Sequence, residues 1–300
     1  MNRQTQKLYL LAAAMLLASC DAGERYAAHI ERRWPATGVQ RVSIREVDGS
    51  VQINASNTNE ITLSAQVRTR GVRPQTGKDN QGFFESTVDG DTLTIARHDS
   101  RHRRVFFPFF KSDGISVDYV LTVPASVSLD VRTVNGRIAT TGINGESEIT
   151  TVNGPIEVIA SGENQLAAHT VNGRVRATFL SNFQGASLKT VNGGVRAILP
   201  PAASFACDLS QVNGDFEANF PLSIHSHPGS RRVSGEVNGG RFELRIATVN
   251  GDIHVENGPQ VPPPAPAVAP ARPEIPPLPG TATPAAPPAP PAAPAQDGTR

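Results

Sequence analysis

The amino-acid sequence predicts an all-β protein, a single-domain β-solenoid of stacked rungs followed by a disordered Pro/Ala-rich tail, and three observations carry that prediction. The tripeptide Val-Asn-Gly occurs seven times, beginning at Val134, Val152, Val171, Val191, Val212, Val237 and Val249, with the first five copies about twenty residues apart. Two relatives, Val47-Asp48-Gly49 and Val88-Asp89-Gly90, extend the pattern toward the N-terminus. Reiteration at that period marks an architecture whose units bury a core only by stacking on one another. Apolar and polar residues alternate between the copies, as in Val127, Leu129 and Val131 against Asp130 and Arg132, which is the period of a strand with one face buried. After each tripeptide the apolar phase shifts by one: Val131 gives way to Ile138 and Thr140, Leu188 to Val195, and Leu209 to Phe216. Asn-Gly is therefore a corner or a turn, because glycine, and to a lesser extent asparagine, tolerates positive φ.

Residues 1–19 read as an export signal. Arg3 and Lys7 precede an apolar run from Leu8 to Leu17, too short to cross a hydrocarbon core of ~30 Å as a helix. Leu17-Ala18-Ser19-Cys20 resembles the lipobox of bacterial lipoproteins, which implies cleavage before Cys20 and acylation, palmitate included, at Cys20. Two acyl chains give stable anchoring at ~0.8 kcal/mol per buried methylene. By the same resemblance Asp21 is a signal for inner-membrane retention in some lineages, and the choice between inner and outer membrane stays open. The expected location is the bacterial cell envelope, lipid-anchored and facing the periplasm or the exterior.

Residues 20–38 are expected to be anchor and linker, 39–257 the solenoid with an insertion near 99–114, and 258–300 the tail. The tail holds sixteen of the twenty-five prolines. Proline donates no amide and fixes φ, so this segment is expected to be extended, solvated spacer at ~3.1 Å per residue, with docking as the alternative use.

Two arrangements fit the body. In a parallel solenoid each period is one coil, equivalent strands stack ~4.8 Å apart, and the corners superpose. The structural turn residues are then Asn135-Gly136, Asn153-Gly154, Asn172-Gly173, Asn192-Gly193, Asn213-Gly214, Asn238-Gly239 and Asn250-Gly251. Asn135, Asn153, Asn172, Asn192 and Asn213 would stack as an amide ladder that satisfies buried polar groups, with Thr133, Thr151, Thr170 and Thr190 as a second column. In an antiparallel meander each Asn-Gly is a two-residue hairpin turn instead. The valine before every turn favours the solenoid, where those valines pack on one another.

From Val117-Asp118-Tyr119-Val120-Leu121-Thr122-Val123-Pro124 to Val131-Arg132-Thr133-Val134-Asn135-Gly136, the chain resembles the adhesin-like family DUF4097. The similarity spans roughly residues 42–255. The resemblance implies a β-solenoid, often exported or membrane-attached, and it carries over no catalytic residue.

Charge and motifs narrow the function. With 28 basic and 27 acidic residues the net charge is +1, so no polyanion binder is implied and no nucleic-acid partner is expected. Cys207 is the one thiol besides Cys20, so no intrachain disulfide is expected in the mature chain. Its alternation with Phe205 and Leu209 predicts burial. No nucleophile elbow, zinc helix or phosphate loop occurs, no cofactor is expected, and the acids Asp215, Glu217, Asp252 and Glu256 look scattered. His225 and His227 have the spacing of a metal pair but lack a third ligand, and a solvated loop is the expected setting. The segment Arg101–Lys111 gathers four of the twelve phenylalanines beside a basic cluster. Arg103, Arg104, Phe106, Phe107, Phe109 and Phe110 are candidate membrane or partner contacts, or a cap over an open solenoid end. The expected function is noncatalytic: binding, scaffolding or sensing in the envelope, with a protein or glycan partner. The alternative is a glycan-active β-helix enzyme, which needs acids from different rungs to converge in a groove.

Overall fold

Alternating apolar and polar residues form strands along the chain, and no helix occurs among the described residues. A computed structural model describes residues 25–70, 83–97, 115–161, 164–220, 225–226 and 232–258. The strands are β1 (Arg25–Pro35), β2 (Arg41–Arg45), β3 (Val51–Ser56), β4 (Glu60–Arg70), β5 (Phe84–Asp89), β6 (Thr92–Arg97) and β7 (Ile115–Pro124). They continue with β8 (Ser128–Arg132), β9 (Ile138–Ile143), β10 (Ser147–Thr150), β11 (Ile156–Ala160), β12 (Leu166–His169), β13 (Val175–Phe179), β14 (Ala186–Lys189) and β15 (Val195–Leu199). The last are β16 (Phe205–Asn213), β17 (Phe216–Ala218), β18 (His225–Ser226), β19 (Arg232–Val237), β20 (Phe242–Asn250) and β21 (Ile253–Asn257).

Two sheets result. One runs β1-β4-β7-β3-β9-β11-β13-β15-β21-β17, the other β18-β19-β16-β20-β14-β12-β10-β8-β2-β6-β5. Each rung is a strand of the second sheet, a corner, and a strand of the first sheet, as in β8–Asn135–β9. Successive rungs pair in parallel, so Val175 lies beside Ile156 and Val195, and Leu188 beside Ala168 and Ile246. The inward rows of Val, Ile, Leu and Ala from both sheets form one buried core. Each Val, Leu or Ile so buried contributes roughly 1.5–3 kcal/mol, so a core shared along the stack stabilises every rung through its neighbours. The parallel solenoid is thus the arrangement of the body. Antiparallel pairing is confined to its two ends, where β1, β4 and β7 pair antiparallel, as do β5 with β6, and β18, β19 and β16.

Four expectations need correction. The spatial order of corners is Asp48, Asn135, Asn153, Asn172, Asn192, Asn250, Asn213, so Asn250 stands between Asn192 and Asn213. The pair β20/β21 enters the stack ahead of β16/β17, although it comes later in the chain.

Asn238 lies outside the column. It has φ 49 and Gly239 φ 88, the signature of a type I′ turn, and Gly240 N donates to Val237 O at 3.2 Å. This turn carries the chain past the start of β16, where Asn238 Nδ2 donates to Ala203 O at 2.9 Å. Asp89-Gly90 likewise belongs to a hairpin, with Asp89 opposite Thr92.

The asparagine column is on the surface, not in the interior; the buried column is threonine. Thr151, Thr170, Thr190 and Thr248 are 1–6% exposed, and their hydroxyls donate to Gly136, Gly154, Gly173 and Gly193 carbonyls of the preceding rung at 2.8–3.2 Å.

Crowding adds a second requirement for glycine at the stacked corners, where Gly154, Gly193, Gly214 and Gly251 have positive φ of 138–156°. A Cβ on Gly136 would lie 1.8 Å from Gly49 O, and one on Gly173 would lie 2.0 Å from Gly154 O.

The structured body also begins before residue 39. Arg25–Pro35, within the stretch expected as anchor and linker, is paired along its length with β4. Trp34 on it is buried at 4% exposure.

Candidate functional site

The corner edge is a chain of side-chain hydrogen bonds. Asn135 Nδ2 donates to Asp48 Oδ1 at 2.7 Å, Asn153 to Asn135, Asn172 to Asn153 and Asn192 to Asn172 at 2.8 Å each, Asn250 to Asn192 at 2.9 Å, and Asn213 to Asn250 at 2.8 Å. The direction has a physical cause at one end. An ionised carboxylate only accepts, so Asp48 obliges Asn135 to present its NH₂, which leaves the Asn135 carbonyl facing Asn153, and so on up the column. One acid thus orients six amides, and the Asp48 carboxylate is itself 3.6 Å from Arg97. Behind it Glu46 takes the threonine position, buried with Oε1 accepting from Val47 N at 2.9 Å and lying 3.3 Å from Arg97. Burial pushes the Glu46 carboxyl up, against the opposing pull of those backbone amides and of Arg97.

Beside the amides runs a column of valines. Val152, Val171, Val191, Val249 and Val212 are 37–54% exposed, the last the most. The residues two before and three after each valine form the flanks. On the second sheet the flank is Arg45, Arg132, Thr150, His169 and Lys189 over the rungs from β2 to β14; on the first sheet it is Ser50, Arg137, Pro155, Arg174 and Gly194. Arg132 is 3.1 Å from Asp130 and 3.0 Å from Glu148, and Arg137 pairs with Glu157. Arg174 and Lys189 are exposed and have no ion-pair partner among the described residues.

A trough of about 470 Å³ lies on the outer face of the second sheet. Its floor is Ala167 and Ser187, which stand in register between Glu148 on β10 and Arg245 on β20. Small side chains on two adjacent rungs between long ones on the outer two make the depression. Glu146, Gln165, Gln184, Phe242 and Glu243 complete the lining, and the Arg241 guanidinium sits 5.2 Å above the Phe242 ring. Of the three carboxylates here, Glu148 is held by Arg132 and Glu243 by Arg245, while Glu146 has no ion pair among the described residues. Nothing in the repeat pointed to this site, because it depends on which rungs are adjacent. Ala167 and Ser187 look unremarkable until β12 and β14 lie side by side.

The reordered rungs also gather acids that look scattered in the sequence. Asp215 N donates to Asp252 Oδ1 at 2.9 Å, Glu217 is 3.1 Å from His254 Nδ1, and Glu256 pairs with Arg196 at 3.2 Å. No three His, Cys, Asp or Glu side chains come together as a metal site among the described residues. Cys207 is buried at 4% exposure, and burial pushes its thiol pKa up. His225 lies on β18, opposite Ser234. Cys20, His227, the candidate contacts Arg103, Arg104, Phe106, Phe107, Phe109 and Phe110, and the tail from residue 259 lie outside the described residues.

Residues 128–256, from the first residue of β8 to within β21, match the model of the family Toastrack DUF4097. A "putative cell adhesion protein" from Clostridium sporogenes is similar over 77% of this chain and 100% of its own, at 11% identity and a TM-score of 0.43. A "putative adhesin" from Bacteroides fragilis is similar over 76% of this chain and 96% of its own, at 12% identity and a TM-score of 0.31. A "putative lipid binding protein" from Parabacteroides distasonis is similar over 77% and 95%, at 10% identity and a TM-score of 0.31. No curated protein matches the sequence.

Proposed function

We propose that the protein is a noncatalytic, lipid-anchored module of the bacterial cell envelope that binds an envelope component, a glycan chain in the first instance, and acts as scaffold or sensor. The observation that supports it most is the trough over Ala167 and Ser187. Planar amide, carboxylate and guanidinium groups can each engage two neighbouring hydroxyls at once, which suits a sugar ring better than an apolar ligand. The frame is rigid, since each rung is tied to the next through backbone, threonine and asparagine hydrogen bonds. Rigidity lowers the ordering cost of binding.

The test is glycan capture by the mature chain, compared with an Ala167→Trp variant that fills the trough from a solvent-facing position. Capture lost at an unchanged unfolding midpoint is the expected result; equal capture by both proteins would remove the trough as the site. The anchor is tested separately, by fractionating cells that carry Cys20→Ala. That variant is expected in the soluble fraction, and its retention in membranes would refute lipidation.

The glycan-active alternative has one observation in its favour, the meeting in this trough of Glu146 and Glu148 from the β10 rung with Glu243 from the β20 rung. It requires new reducing ends to appear when glycan and protein are incubated, and their loss in Glu146→Gln. On the binding reading none appear, and Glu146→Gln alters capture alone.

A further inference from the structure

We propose that the valine and asparagine edge of the solenoid is a contact surface for an anionic lipid bilayer. Every corner in the stack places a valine at the same outward point, and at five of them that valine is more than a third exposed. Strand propensity alone would be met equally by threonine, the residue this sequence uses one position earlier, so the apolar choice on the outside needs a partner.

Seven rungs at ~4.8 Å give the column a length of about 29 Å. Its neighbouring asparagines spend one donor and one acceptor on each other, which lowers the cost of taking them out of bulk water. Each flank carries one cation with no ion pair among the described residues, Lys189 on one side and Arg174 on the other, while Arg132 and Arg137 are paired with acids outside the flanking columns; neither flanking column holds a carboxylate from β2/β3 through β14/β15. The acids lie at the ends of the edge, Asp48 at one and Asp252 and Asp215 at the other. An apolar stripe bordered by Arg and Lys is the chemistry of a segment lying in a lipid headgroup plane. Charge complementarity selects an anionic surface, since Arg174 and Lys189 stand beside Val171 and Val191 with no carboxylate of their own.

The test uses the full mature chain with Cys20→Ala, so that the anchor does not force contact. It is sedimented with vesicles of phosphatidylglycerol and phosphatidylcholine in equal parts, with pure phosphatidylcholine vesicles as control and inorganic phosphate as competitor. Binding to the anionic vesicles is expected. It should fall roughly 5-fold for Arg174→Ala or Lys189→Ala alone and about 25-fold for both. Val171→Asp with Val191→Asp should abolish it, and the isosteric pair Val171→Thr and Val191→Thr, which leaves the corner shape intact, should weaken it. Val171→Trp should have its fluorescence quenched by brominated lipid, a readout that contact through residues 101–111 would not produce.

Absence of binding overturns the proposal. So does binding indifferent to all these substitutions, which would place the contact elsewhere. Competition by inorganic phosphate to background would mean a phosphate site instead of a bilayer surface. Association of the chain with itself that is lost in the Val→Asp pair would assign the edge to a second copy.

Discussion

The rungs from β8/β9 to β14/β15 and the pair formed by β20/β21 and β16/β17 carry the same tripeptide, yet the first set stacks in chain order and the second does not. In the middle, each strand leaves its sheet, turns the asparagine corner, and returns one rung on, with Val, Ile, Ala and Thr filling the interior. At the far end β16 passes over one position, and β20 later fills it, paired on one side with β14 and on the other with β16. Aromatic packing marks the difference. Phe205 of β16 meets Phe183 and Phe220 edge to face at 5.8 and 5.3 Å, and Phe183 meets Phe179 at 5.0 Å. The tripeptide therefore encodes a corner. Which corner lies beside which is decided by long-range packing.

The largest effect should come from the crowded glycines. Gly173→Ala places a Cβ 2.0 Å from the Gly154 carbonyl, a backbone atom that cannot swing away, and should cost at least about 3 kcal/mol in denaturant unfolding. Gly239→Ala, in the off-ladder copy, meets nothing within 4 Å, and only its φ of +88° opposes the change. About 1 kcal/mol is expected there. Equal costs at the two sites would mean that the corners are not close-packed.

Glycine in place of the two kinds of asparagine separates them further. Asn172→Gly removes two ladder hydrogen bonds of 2.8 Å and should cost about 1–2 kcal/mol. Asn238→Gly keeps a residue that favours φ 49 and loses mainly the bond to Ala203 O, so less than about 1 kcal/mol is expected. The reverse order in thermal melts would contradict the two-role reading of Asn-Gly.

At the near end Glu46 replaces threonine with a titrating group. Its carboxyl is raised in the folded state, so the fold favours the protonated form. The stability this contributes is present below the ordinary carboxylate range and is lost as pH rises through the raised value. Glu46→Gln should therefore gain on the natural protein as pH rises from about 4 to 8. Parallel melting curves across that range would show that Glu46 titrates normally. Asp130 and Asp208 act in the opposite sense. Arg45 and Arg232 hold them below the usual range, so their contribution is present above that range and is lost as pH falls through it.

The smallest effect is expected from Asp48→Asn, about 0.5 kcal/mol, because an amide can still accept from Asn135. What changes is direction. With no obligatory acceptor at the end, the amides are free to reverse, and side-chain amide NMR of Asn135 should split into two environments. A single unchanged environment would mean that Asp48 does not orient the column.

Much of the fold is legible in the chain because it rests on local chemistry. Period-two alternation forces strands with one buried face, and the phase shift after Val-Asn-Gly forces a corner. Thr133, Thr151, Thr170 and Thr190 fall at one position in the period, so their column follows from the repeat alone. The alternation around Cys207 gives its burial in the same way. Corner, strand and stacked column each depend on residues a few positions apart, and the amino-acid order is enough to specify them. Long-range packing decides the rest: that Asn250 sits between Asn192 and Asn213, that Asn238 and Asp89 lie at hairpins, that the amide column faces water, and that Ala167 and Ser187 floor a trough. One tripeptide is compatible with a stacked corner and with a type I′ turn at similar local cost. The choice therefore falls to contacts between strands distant in the chain, and those contacts have no local signature.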